Sequence, residues 1–456
     1  MSEAARRAGR ISLPRDPFRG ALFILTVLTI SRVHQHFGLD GLRPGLLLAG
    51  FAILYAFMNP RALTQANLRG WEAKAILAMA VIACVSIPFS LSIGGSASYF
   101  IDNYSRVLLL ALLLLLALRN TRDIYLFVLA YVVGSAILVW LAIAVFDLSS
   151  AGSAVSRLDD MYGYDANDAG LVLVMGIPLT LLVLQTAVGW WKFLPIAVLA
   201  GSGWAIALTG SRGAFLALGA IVLALLVGMK SIPPARRVAV LLVLMGALHL
   251  SAPDGYWTQM STILTPDEDY NWNAAIGRVA IAQRGLGYMM DHPVTGVGLN
   301  NFARAEGTIS VIARRSVAGT NIPWVAPHNS YIQVAAELGI PGILVFGTLV
   351  FGGMGTLLHL RCRIPRSWEE GVPEERFLRR ATLYLPVTYL GFAVAAAFLS
   401  FAYLDPIYLL TTLTAAVRIT SLRRLRRARP APAREAVRHR IPGMRGGMAI
   451  GTYADG

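Results

Sequence analysis

About twelve apolar runs of bilayer-spanning length follow one another along this chain, and that succession excludes most folds. They lie near 20–36, 42–58, 74–92, 104–118, 124–146, 169–188, 193–209, 212–229, 237–251, 328–357, 381–400 and 402–417. A bilayer core is crossed by roughly 20 apolar helical residues, and hydrocarbon offers no partner to an unpaired peptide group, so such runs must be helical. Composition agrees: 56% of residues are hydrophobic, only 14% are charged, and the mean hydropathy is +0.60. The expected fold is all-α, a polytopic transmembrane helix bundle of about 12 spans. Its parts are a basic N-tail (1–19), spans 1–9 (20–251), a large loop (252–327), spans 10–12 (328–417) and a basic tail (418–456).

Charge orients the bundle. With the N-terminus in the cytoplasm, 30 of the 40 Lys and Arg residues fall in inner segments, as the positive-inside rule requires. Both termini are then cytoplasmic and the 252–327 loop faces outward. Arg6, Arg7, Arg10, Arg15 and Arg19 before an apolar run resemble a signal peptide, but no convincing cleavage site follows, so the run is read as an uncleaved first span. The net charge of +15 is spread over successive inner loops, which argues for topology and against nucleic acid as a partner. The tail "RRLRRARPAPAREAVRHR" is expected to be disordered and suited to anionic lipid head groups. Cys84 and Cys362 stand in unlike settings, so neither a disulfide nor a metal site is expected from them.

The polar, turn-forming segments fall on the outer side. In "LTGSRGAFLAL" Arg212 stands where a span begins, between Ser211 and Gly213. The first amides of a helix lack internal partners and its dipole is positive there, so a guanidinium at that end suits a phosphate or diphosphate. An interfacial arginine reaching for lipid phosphates would look the same. In "APHNSYIQVAAELGIPG" His328 heads the longest apolar run. A helix N-terminus disfavours the imidazolium, so His328 is expected to stay neutral and able to accept a proton; a plain interfacial or capping pair with Asn329 is the alternative. Glu337 lies about 900° of helical rotation and about 13 Å from His328, which excludes a His–Glu dyad in a regular helix and predicts a carboxylate paired in the interior.

Within the loop, residues 270–293 show apolar residues near a 3.6-residue period with Arg278 and Arg284 interspersed, which predicts an amphipathic helix along the interface. Arg278 is a candidate phosphate contact or a solvated surface charge. "HPVTGVGLNNF" then predicts a turn, and a second helix is expected over about 301–315. The acidic run Asp267, Glu268, Asp269 suits a helix start better than a cation site, and no metal is expected.

These motifs resemble the O-antigen ligase and O-antigen polymerase superfamily of bacterial inner-membrane glycosyltransferases. In "HNSYIQVAAELGIPG" nine residues separate His328-Asn329 from Gly339, and two more separate Gly339 from Gly342, as in the family pattern. "TGSRGAFLAL", "HPVTGVGLNNF" and, more loosely, "YDANDAGLVLVMGIPLT" support it. The resemblance is strong over roughly 160–350. It implies that the 252–327 segment is a periplasmic loop domain and that the donor is an undecaprenyl-diphosphate-linked glycan. It further implies transfer to an acceptor hydroxyl with inversion, without cofactor or metal. By position, Arg212, Arg278 and His328 look like the family's catalytic residues. Ser211, Gly213, Asn329, Arg284 and Asn300, in or beside the same motifs, are expected to bind substrate. Membrane lipids and either lipid A-core or another glycan would be the partners, with lipid A-core favoured. A polysaccharide polymerase, a protein O-oligosaccharyltransferase and a transporter are the alternatives; the transporter is disfavoured because the halves show no repeat and the polar groups gather at one face.

Overall fold

The computed structural model describes Ile11, Pro14 and residues 16–149, 157–158, 161–228, 233–265, 277–315 and 324–428. The arginines at 6, 7, 10 and 15, the Asp267–Asp269 run, the first residues of the expected 270–293 helix and the tail from 429 onward lie outside the described residues.

Sixteen helices are used below: α1 (Pro17–Ser31), α2 (Pro44–Met58), α3 (Trp71–Ser86), α4 (Ser105–Ala117), α5 (Thr121–Ala144), α6 (Ala166–Thr186), α7 (Phe193–Thr209), α8 (Arg212–Gly228), α9 (Pro234–Ser251), α10 (Tyr256–Ser261), α11 (Arg278–Asp291), α12 (Phe302–Thr308), α13 (Ser330–Gly347), α14 (Gly353–Arg363), α15 (Pro373–Ala395) and α16 (Asp405–Ala428). A two-residue antiparallel ladder pairs Leu148 with Leu158 and Ser149 with Arg157. Several starts are set by capping side chains: Asp16 accepts from the Arg19 amide, Asn120 from Arg122 and Asp123, and Asp165 forms a reciprocal box with Asp168.

Among the described residues, eight helical stretches are long and apolar enough to cross a membrane: Leu39–Met58, Trp71–Phe89, Ile93–Ala117, Thr121–Ala144, Ala166–Thr186, Gly189–Thr209, Pro234–Ser251 and Ser330–Arg363. Two further apolar helices, α1 and α8, are shorter. The chain is thus a helical, multi-pass membrane protein. The remaining two expected spans, 381–400 and 402–417, fall in α15 and α16, which are helical but carry more polar side chains. Thr382, Thr388, Thr411, Thr412 and Thr414 are all buried in them, each hydroxyl donating to a carbonyl of its own helix or pairing with a neighbour. A helix shielded by other helices need not be as apolar as one facing lipid. α2 shows the opposite case, with Leu47, Phe51, Leu54 and Phe57 exposed.

The two ends of the bundle are built differently. At one end, arginines join helices. Arg19, fully buried at the start of α1, lies 2.8 Å from Asp123 of α5 and donates to the Ala117 carbonyl at 2.6 Å. Arg418 of α16 grips Glu72 of α3 with two bonds of 2.6 and 2.7 Å. Such bidentate pairs fix geometry as well as adding energy.

At the other end a loop docks on a broken helix. Gly339 has φ +66° and ψ −163° inside α13, and Pro341 follows two residues later. The break exposes backbone groups that the turn after α11 answers. Val297 donates to the Ala336 carbonyl at 2.9 Å, Gly298 to the Glu337 carbonyl at 3.0 Å, and Ile340 to the Pro293 carbonyl at 2.8 Å. The Glu337 carboxylate, 1% exposed, accepts from Asn300 at 3.0 Å and Phe302 at 3.1 Å, which caps α12. Glu337 is interior, as its rotation from His328 implies, and its partners here are backbone amides. A side chain at Gly296 or Gly339 would collide with the opposing backbone at 2.3 and 2.5 Å, and both have positive φ. The glycines of "HPVTGVG" and "ELGIPG" therefore permit one another's close approach.

Glu337→Gln presents an amide NH₂ to one of two donors, so it should cost about 1–3 kcal/mol and lower the thermal midpoint in detergent. Gly339→Ala should lower it as well, because of both clash and φ. An unchanged midpoint in both variants would contradict the docking described.

Candidate functional site

The site end gathers helix N-termini. α7 ends in Gly210 at φ +56°, which reverses the chain; Ser211 then caps α8 by accepting from Ala214 at 3.2 Å, and Arg212 is the first helical residue. Ser211 is buried and its oxygen serves the turn, while Gly213 lets α8 approach Phe398, whose Cβ lies 2.7 Å from where a Gly213 side chain would begin. Arg212, half-buried, donates to the Thr262 hydroxyl at 2.8 Å, beyond α10. The second N-terminus is that of α13. Asn329 caps it, accepting from Tyr331 at 2.9 Å and Ile332 at 3.1 Å. Ser330, fully buried, ties it to the segment joining α15 and α16, donating to the Leu399 carbonyl at 2.7 Å and accepting from Phe401 at 2.9 Å. The third is that of α6, where Tyr164 stacks on Phe401 at 6.5 Å and Asp165 is the cap. The N-termini of α6, α8 and α13 thus all meet the 396–401 segment.

Aligned peptide dipoles make each such end electropositive, and free amides there bind anions. The ends of α8 and α13, with Arg212 on the first, form a region suited to negative charge, while at the α6 end the Asp165 and Asp168 carboxylates already occupy the terminal amides.

His328 stands just before α13 with φ +45°, a conformation that costs energy for a non-glycine residue. It is exposed, yet protein surrounds it closely enough that desolvation is the largest influence on its imidazole. Desolvation and then the Arg278 guanidinium hold its pKa below the ordinary value, and the Asp165 carboxylate partly offsets them. The imidazole is therefore neutral near pH 7 and able to accept a proton. His328, Arg278 and Asp165 come together electrostatically from three separate segments.

The other expected site residues are placed as follows. Arg278 begins α11, whose Ile281, Gly285 and Tyr288 are buried while Leu286 and Met290 are exposed, the amphipathic pattern expected of 270–293. The buried face packs on α13, where a side chain at Gly285 would meet Ile332 at 2.5 Å. Arg284 holds the loop together: its guanidinium binds the fully buried Glu306 at 2.9 Å, and the Tyr288 hydroxyl donates to the same carboxylate at 2.7 Å. The Glu306 carboxylate raises the Arg284 pKa against the opposing effect of desolvation, while desolvation and then Glu306 raise that of Tyr288, so both partners stay protonated. Asn300, at φ +57°, gives its amide to Glu337 and leaves its side chain exposed. Sequence reading passed over Asp165, Ser330 and Glu306. Asp165 carried a signal, since "YDANDAG" is a capping-box sequence ahead of an apolar run; Ser330 and Glu306 carried none, because their partners are 18 to 71 residues away.

Residues 196–347 match the family model described as O-antigen ligase, so the chain carries a domain of the O-antigen ligase superfamily. No curated protein matches the chain. The matched segment runs from α7 to the end of α13 and contains Arg212, Arg278, His328 and the loop docked at Gly339. It supports a membrane glycosyltransferase of the O-antigen ligase and polymerase type, with a lipid-linked glycan and an acceptor as the general class of partners.

Two substitutions should move the His328 titration in opposite directions. Asp165→Asn keeps a capping oxygen but removes the charge that raises the pKa, so the pKa should fall; Arg278→Gln removes a charge that lowers it, so the pKa should rise. Histidine chemical shifts followed against pH measure both, and shifts of the same sign would refute this electrostatic arrangement.

Proposed function

We propose that this O-antigen ligase domain transfers a glycan from undecaprenyl diphosphate to an acceptor hydroxyl at the periplasmic face of the bacterial inner membrane, both termini being cytoplasmic. The observation that carries this reading is the meeting of the α8 and α13 N-termini with Arg212, beside a neutral His328 flanked by Arg278 and Asp165. The acceptor favoured is a lipid A-core sugar.

The donor's diphosphate lies at head-group level, its polyprenyl chain in lipid and its glycan in the periplasm. The acceptor oxygen bonds to the sugar C1 from the face opposite the diphosphate, which inverts that carbon. The bond from C1 to the phosphate oxygen breaks, its electron pair passes to the diphosphate, and the acceptor proton passes to His328. Negative charge grows on the diphosphate as this happens. Arg212, Arg278 and the helix ends, fixed beforehand, stabilise that charge more in the transition state than in the ground state. They supply the positive charge that a metal ion would otherwise bring. Asp165 then faces the imidazolium formed on His328 and favours it. Ser211, Gly213 and Asn329 shape the helix ends that receive the phosphates, while Arg284, through Glu306, and Asn300, through Glu337, keep the loop that bears Arg278 in register.

The test uses purified protein, undecaprenyl-diphosphate-linked glycan and EDTA, with lipid A-core or with no added acceptor. Glycan should appear on lipid A-core. Arg212→Ala should reduce turnover by about 10²–10³, and His328→Ala by about 10²–10⁴. Longer polyprenyl-linked chains without acceptor would instead identify a polymerase. Near-normal turnover in Arg212→Ala, or a requirement for a divalent cation, would overturn the charge-stabilisation scheme.

A further inference from the structure

A second feature at the site end has no part in the scheme above. A cavity of about 340 Å³ lies among the ends of α1, α2 and α4 and the start of α16. Its lining has two zones. Leu25, Leu28, Leu46 and Leu110 form an apolar part, and three guanidinia (Arg32, Arg43, Arg106), three carboxylates (Asp40, Asp102, Asp405) and His34 a polar one. Leu46 is 41% exposed on the same helix that shows Leu47, Phe51 and Leu54, so the cavity opens toward the lipid-facing side of α2.

Arg32 joins this cavity to the transfer site. Its guanidinium lies 3.6 Å above the Tyr164 ring and donates to the Tyr162 carbonyl at 3.0 Å, and Tyr164 adjoins Asp165. Arg32 is thereby committed. Arg43 and Arg106 are different: both are exposed at the rim, and neither has an ion-pair partner among the described residues. The Asp405 carboxylate likewise makes no ion-pair contact among the described residues, although it lines the polar zone. Arg32 and Arg43 also hold φ of +52° and +46° at either end of the 32–43 loop. Such strain in bulky residues persists where surrounding structure enforces it, most often at sites of function.

The lining specifies its ligand. Two guanidinia without ion-pair partners call for a phosphate, the Asp102 carboxylate and the Asp405 carboxylate, the latter in the field of Arg32, call for hydroxyl donors, and a leucine-lined opening onto lipid calls for a hydrocarbon chain. The carboxylates disfavour a diphosphate, whose charge is greater and which already has a place at the helix N-termini beyond Tyr164. We propose that the cavity seats the head group of the acceptor, a phosphorylated glycolipid entering from the membrane beside α2, with phosphate on Arg43 and Arg106 and sugar hydroxyls on Asp405. This rests on the transfer reading only in naming the ligand as the acceptor.

Binding and kinetics test the two parts separately. In maltoside micelles, which contain no phosphate, wild type and the double variant Arg43→Ala/Arg106→Ala are titrated with lipid A-core and with its dephosphorylated counterpart. The wild type should prefer the phosphorylated form by about tenfold or more, and the double variant should bind both alike. In transfer assays the same variant should raise KM for the acceptor by a similar factor and leave KM for the donor unchanged. Both arginines are exposed, so an unaltered unfolding midpoint controls for misfolding. Absence of a phosphate preference in wild type, equal competition by phosphatidylglycerol, or a rise in donor KM would each overturn the proposal. A preserved phosphate preference in a wild type that transfers nothing would uphold the seat and refute the transfer reading.

Discussion

The seam between the broken helix α13 and the turn at 293–301 is the constraint on which the site depends. A helix interrupted in a membrane leaves backbone groups that hydrocarbon cannot satisfy. Here Gly339 makes the interruption, and the loop supplies Val297, Gly298 and the Pro293 carbonyl as partners. The same contact places the Glu337 carboxylate on the amides of Asn300 and Phe302, so the loop cannot detach without orphaning both sides. Arg284 and Glu306 extend that order along α11 and α12, and Arg278, the first residue of α11, inherits its position from them. His328 is fixed from the other end of α13, through Ser330 and the 396–401 segment. A guanidinium and an imidazole distant in sequence are thus brought together through backbone and side-chain hydrogen bonds.

The division of labour between the two ends follows from the solvent. One end is joined by arginine pairs such as Arg19 with Asp123 and Arg418 with Glu72, where charge serves packing. The other end gathers guanidinia, helix N-termini and a histidine with positive φ. In the proposed transfer reaction, His-Asn at the head of α13 lets one helix deliver a polar terminus to the donor phosphates and an apolar body to the bilayer. Of the non-glycine residues with positive φ among those described, Arg32, Arg43, Tyr162, Asn300 and His328, every one lies at this end. Strain is concentrated where chemistry and recognition are proposed.

Much of this was readable from the chain itself. Apolar runs located the helices, because in lipid length and hydropathy are direct physical requirements. Arg212 at a helix start and the interior position of Glu337 followed from turn chemistry and from 100° per residue. What escaped was long-range. Nothing near Glu306 announces that it will hold Arg284, and Arg284 therefore looked like a substrate contact. Nothing near Asp165 announces His328, which is 163 residues away by the numbering. The threonine-rich interiors of α15 and α16 also diluted the hydropathy signal that identifies lipid-facing helices. The expected interfacial helix appeared with its amphipathic pattern, but its apolar face is turned largely toward α13.

The most direct measurement is native-state hydrogen exchange of the protein in nanodiscs, read at the amides of Val297, Gly298, Asn300, Phe302 and Ile340. If the docked loop organises the site, these amides exchange as slowly as those of Leu344, Val345 and Phe346 in the unbroken part of α13, and they open together. If they exchange at the rate of a solvated turn while α13 stays protected, the loop is not held by the helix break, and the placement of Arg278 beside His328 loses its physical basis.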